Sequence, residues 1–95
     1  MIDKLNKAFE SRVRLGIMST LMVNDEVDFN TLKELLDTTD GNLASHASAL
    51  ESLGFLQVYK QFIGKKPNTS YKVTKDGRKA FNKHLDALEA LLKNR

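Results

Sequence analysis

Ninety-five residues, 41% hydrophobic and 28% charged, suffice for one compact core and are too few for two. No apolar run reaches the roughly 18 residues of a membrane span, no basic-then-apolar leader opens the chain, and cysteine is absent. A membrane or secreted protein, a disulfide framework, a thiolate zinc site and a cysteine nucleophile are therefore not expected, and a cytoplasmic location is. The net charge of +3 is unevenly spread: Lys60 to Lys79 holds seven basic residues against the single acid Asp76, whereas Ile17 to Tyr59 holds seven acids against Lys33 alone. The first stretch is either solvated surface or a surface for a polyanion.

In chain order, Leu5, Ala8 and Phe9 stand at helical spacing, which predicts a short first helix. Ser11 is placed to cap a second helix, Arg12 to Met22, in which Val13, Ile17 and Leu21 make one apolar stripe and Leu15, Met18 and Met22 another. Such a helix is buried on several sides. Asn24-Asp25-Glu26 reads as a turn, Val27-Asp28-Phe29 as a brief extended stretch, and Asn30 as the N-cap of a short third helix with core face Leu32, Leu35 and Leu36. Thr39 is placed to cap a fourth helix, Asp40 to Leu53, which Gly54 ends in the left-handed conformation while Phe55 folds back onto Leu50. Leu56 and Val58 then alternate with Gln57 and Tyr59, and alternation resumes at Tyr71 and Val73 after Gly64-Lys65-Lys66-Pro67-Asn68, which predicts a hairpin with a basic tip. Thr74 caps a last helix in which Phe81, Leu85, Leu88 and Leu92 form a heptad-like seam, widened by Ala87, Ala90 and Leu91.

This order predicts a mostly α fold with a small β-hairpin (α+β), in the winged helix-turn-helix arrangement. One domain spans residues 1–95: the helix-turn-helix at about 30–54, the wing at about 55–74 and a C-terminal dimerisation helix at about 75–95. The N- and C-terminal helices are expected to form a dimer interface through Leu5, Phe9, Leu85, Leu88 and Leu92. The run EVDFNTLKELLDTTDGNLASHASALESLG followed by FLQVYKQFIGKKPNTSYKVTKDGRKAF resembles small single-domain winged-helix regulators of the MarR and ArsR groups. Its most specific parts are the TDGNL helix start, the FIGKKPNTSYKVT wing and the TKDGR cap. The resemblance implies a homodimeric transcription regulator that binds double-stranded DNA sequence-specifically, with Asn42, Ser45 and His46 where recognition-helix residues meet bases.

A helical wheel puts Leu43, Ala47 and Leu50 inward and Gly41, Ser45, Ser48 and Ser52 outward, with Asn42 and Ala49 beside them. His46 falls at the edge, either a DNA contact or a residue packed at the core border. Related sequences often carry arginines in a pattern like LSRHLRALE, whereas this chain has LASHASALE, so the strongest guanine reader is missing and base readout is expected to be weak or biased to A·T pairs. The expected DNA-binding set is Thr39, Asn42, Ser45, His46, Ser48, Lys65 and Lys66, the lysines on phosphates and Thr39 at a helix N-terminus. Arg12 and Arg14 either contact phosphates or pair with acids of a partner subunit. No cofactor, metal or catalytic constellation is expected, and nothing marks a small-molecule effector. The competing readings are a winged-helix protein-interaction module and a weakly specific architectural DNA binder.

Overall fold

The computed structural model describes residues 2–93, so residue 1 of the expected domain and the last two residues of the expected final helix lie outside the described residues. The start of the chain departs from expectation. In place of a short helix there are two 3-10 turns, Ile2–Lys4 and Lys7–Phe9, parted by Asn6, whose side chain accepts from the Ala8 N–H at 2.9 Å. So short a segment does not nucleate an α-helix alone, and the Asn6 backbone N–H is drawn instead to Nδ1 of His84 at 2.9 Å. Phe9, expected on a dimer surface, is buried at 1% exposure with its ring against those of Phe55, Phe81 and His84. Helical spacing identified it as apolar; the aromatic pocket of its own chain covers it.

Ser11 caps α1 (Arg12–Met22) as expected, its hydroxyl accepting from the Arg14 N–H at 3.2 Å. Ile17, Met18 and Leu21 are buried, while Leu15 reaches the surface, so burial is less complete than two apolar stripes imply. Strand β1 (Val27–Asp28) leads directly into α2 (Phe29–Leu36). The cap of α2 is Asp28, not Asn30: pairing of Asp28 with Ser70 holds its backbone extended, and its carboxylate accepts from the Thr31 N–H at 2.9 Å. That shift starts the helix-turn-helix slightly earlier and turns Leu35 outward, at 63% exposure, while Leu32 is buried and Leu36 packs against the core.

Thr39 caps α3 (Asp40–Ser52), and the helix ends one residue earlier than expected. Gly54, at φ +81, donates to the Glu51 carbonyl and Phe55 to the Leu50 carbonyl at 3.0 Å, the paired closure that a left-handed residue after a helix allows. The hairpin follows as β2 (Leu56–Ile63) and β3 (Lys66–Val73), antiparallel from Leu56↔Val73 to Ile63↔Lys66, with β1 on the other side of β3. Its strands run further than the alternation predicts, so Lys66, Pro67 and Asn68 belong to β3 and the turn is Gly64-Lys65 alone. Pro67 is tolerated because β1 pairs only with Ser70 and Tyr71, leaving the outer edge of β3 without a strand at that position.

Thr74 accepts from the Gly77 N–H at 2.9 Å and starts α4 (Lys75–Lys93). A side chain at Gly77 would overlap the Phe55 backbone carbonyl, so glycine there lets α4 close against the end of the helix-turn-helix. From α4, Phe81 and His84 enter a core built mainly of Phe9, Ile17, Met18, Leu21, Leu32, Leu43, Leu50 and Leu56.

Candidate nucleic-acid interface

Helix α3 buries Leu43, Ala47 and Leu50 against α1, α2 and β2, and that inner stripe fixes what it shows outside. Asp40, Gly41, Asn42, Ala44, Ser45 and Ser48 are exposed and His46 is half-buried, as the wheel predicts. None of the exposed α3 residues is a large hydrophobe. Thr39 accepts from the Asn42 N–H at 3.1 Å, which occupies its oxygen but leaves the hydroxyl proton able to donate outward. Asp40, whose charge would oppose an anion at this helix end, lies 2.8 Å from the Lys33 ammonium.

The two arginines of α1 separate. Arg12 stands with Asp37, Thr38, Thr39 and Asn42 around a cleft of about 420 Å³ beside the N-terminus of α3. Arg14 turns inward: its Nε donates to Nδ1 of His46 at 3.0 Å and its Nη1 to the Ala8 carbonyl at 3.4 Å. His46 is thus bound to the body of the domain at the border of the core. The sequence brought these three residues forward without indicating that two of them bond each other.

Lys65 and Lys66 are exposed at the hairpin end, where Gly64 takes φ +64 and makes a two-residue turn. The basic stretch is less available than its charge count implies. Lys72 lies 3.8 Å from Glu26 and over the Tyr59 ring, and Arg78 donates to the Met22 carbonyl at the end of α1. Lys60, Lys65 and Lys66 remain exposed along the wing. Arg12 in the cleft, and Phe62 and Ile63 exposed beside the turn, are features that charge and alternation patterns underweighted. A Gly-Lys pair between Ile63 and Lys66 was the available signal for the longer strands.

Of the expected dimer residues, Leu85, Leu88 and Leu92 are exposed along α4, Leu5 is half-buried and Phe9 is in the core. Among the described residues, no group of three or more His, Cys, Asp or Glu side chains is positioned to hold a metal ion, and no helix is long and apolar enough to cross a membrane.

Residues 13–92 match the family described as winged helix DNA-binding domain. The chain is 40% identical over 88 residues to an uncharacterized protein of Methanocaldococcus jannaschii, a match covering 93% of this chain and 96% of that one. It is similar to the solved structure of a transcriptional regulator homologue from Pyrococcus horikoshii OT3, with a TM-score of 0.83 and 34% identity over 90% of this chain and 85% of that one. A Salmonella typhimurium structure gives a TM-score of 0.76 at 24% identity over 93% of this chain and 78% of that one, a likeness of fold alone.

Proposed function

Because the chain belongs to the winged helix DNA-binding domain family, we propose that it is a transcriptional regulator that binds double-stranded DNA as a homodimer, with α3 in the major groove and the lysine-tipped hairpin on the phosphate backbone. One observation carries this: α3 exposes small polar side chains and is flanked by cations at both ends, Arg12 beside its N-terminus and the wing that leaves its C-terminus. Small polar groups admit close approach to base edges, and flanking cations supply the sequence-independent attraction that holds the helix in register. Asn42, Ser45 and Ser48 read bases, His46 reaches from the edge, Thr39 and Arg12 hold one phosphate region, and Lys65 and Lys66 hold another.

Pairing through Leu85, Leu88 and Leu92 repeats the site by two-fold symmetry and sets two recognition helices roughly 34–36 Å apart, one turn of the duplex. The protein works in the cytoplasm, where its DNA is, and this role includes no catalytic step. The test is selection of bound fragments from genomic DNA at a stated salt concentration. Recovered fragments should share a pseudo-palindrome with half-sites one helical turn apart. Fragments with no common sequence would reduce the protein to an architectural binder, and no enrichment would remove DNA from its function.

A further inference from the structure

Beyond the last well-buried rungs of the sheet, the hairpin continues through Lys60↔Thr69, Gln61↔Asn68, Phe62↔Pro67 and Ile63↔Lys66. Four more rungs project the tip about 13 Å past Tyr59↔Ser70. At its end Phe62 is 74% and Ile63 61% exposed, so two large apolar side chains stand side by side in water on the most projecting part of the molecule. Opposed residues in an antiparallel pair share a face and neighbours alternate. Phe62 and Pro67 therefore make one face of the tip apolar, and Ile63 caps the other beside Lys66. Residues 60–68 include three lysines and no acid.

An apolar tip ringed by cations and carried on a narrow two-residue turn matches the minor groove, whose rims are phosphates and whose walls are sugars. Phosphate contact alone would use the lysines and leave Phe62 and Ile63 in water. Resting on the DNA-binding reading above, we propose that the wing tip enters the minor groove next to the site of α3, where Phe62 and Ile63 pack against the sugar walls while Lys65 and Lys66 hold the rims. This adds an affinity that salt does not screen and a preference set by groove shape at a position that α3 does not reach.

The full-length protein, its Phe62→Ala/Ile63→Ala variant and its Lys65→Ala/Lys66→Ala variant are titrated onto a short A·T-rich duplex across a salt series, with and without the minor-groove ligand netropsin. Both replaced apolar side chains are solvent-exposed, so an unchanged melting temperature accompanies the variant. The apolar variant should bind roughly tenfold more weakly at every salt concentration with an unchanged slope of log K against log salt. Netropsin should weaken the wild type by a similar factor and the apolar variant little further. Wild-type binding with full affinity retained by the apolar variant overturns the inference and leaves the DNA reading intact. No wild-type binding to any duplex overturns both. Loss of binding to phosphatidylserine vesicles, or of the dimer, on replacing Phe62 and Ile63 while DNA affinity is kept would assign the tip to a membrane or to a second copy, and either result overturns it.

Discussion

The Nε–H of Arg14 on α1 donates to Nδ1 of His46 on α3 across 3.0 Å, and the same guanidinium donates to the Ala8 carbonyl. Accepting at Nδ1 requires His46 to be neutral there and to carry its proton on Nε2, so the pair is an internal brace that sets the rotation of α3. Arg14→Ala should cost about 1 kcal/mol in urea unfolding and leave the salt slope of DNA binding as it is. Arg12→Ala should do the reverse, sparing stability and reducing the slope by up to ~0.9. A reduced slope for Arg14→Ala would put its guanidinium on a phosphate and undo the assignment of brace and contact.

Lys65 and Lys66 lie on the turn of the wing, where neither has a base-reading geometry to maintain. Replacing both by alanine should weaken binding by a similar factor for every sequence and flatten the slope by up to ~0.9 for each phosphate no longer neutralised. A weakening confined to one sequence would make them readers and not anchors.

Asn42 is the exposed α3 side chain best suited to bidentate pairing with adenine, and its backbone is already fixed by the Thr39 cap. Asn42→Ala should cost about 1–3 kcal/mol at a selected site and little on random duplex. Equal losses on both would show that Asn42 only positions the helix.

What the sequence made legible follows from where a local rule meets a buried surface. Ser11, Thr39 and Thr74 each cap the helix they precede, and Gly54 ends α3, because cap chemistry is decided within a few residues. Alternation in the hairpin faded after Tyr59 because the wing beyond it has no core to face, so no inward and outward sets segregate. The cap of α2 moved to Asp28 for a non-local reason, the pairing of that residue with Ser70. Phe9 illustrates a similar limit: spacing marks a side chain that needs cover without saying whether its own chain or another provides it. The outer face of α3 was legible since Leu43, Ala47 and Leu50 determine it, whereas the Arg14–His46 bond and the Lys72–Glu26 pair join distant positions that a charge count cannot connect.

Asp28 links the start of α2 to pH. Hydrogen bonds from the Thr31 side chain, then from the Thr31 backbone N–H, with a smaller one from Asn68, hold its carboxyl below the ordinary aspartate value. A carboxylate depressed in the folded state stabilises above its unfolded pKa, and that stabilisation is lost as pH falls through the folded value. Asp28→Ala should therefore cost about 1 kcal/mol near neutrality, with the gap to wild type closing in acid. A gap that stays constant from neutral pH into acid would show that the cap acts without its charge.

Leu88 stands at 43% exposure on α4, with Leu85 one turn before it and Leu92 one turn after, all facing away from the Phe9 and Phe81 cluster that α4 helps to close. A glutamate at this position stays in water in a monomer, so folding should be nearly unaffected and the far-UV circular dichroism unchanged. In a two-fold dimer the same residue meets its symmetry mate or a neighbour of it, and two carboxylates would be taken from water without partners. Leu88→Glu should give a monomer by light scattering. Loss of the dimer also removes the second recognition helix, so tight binding at a pseudo-palindrome should fall to the affinity of a half-site while binding to one half-site is retained. A Leu88→Glu protein that remains dimeric would move the interface off this seam. A monomer that keeps full affinity for the palindrome would show that pairing through α4 does not serve recognition.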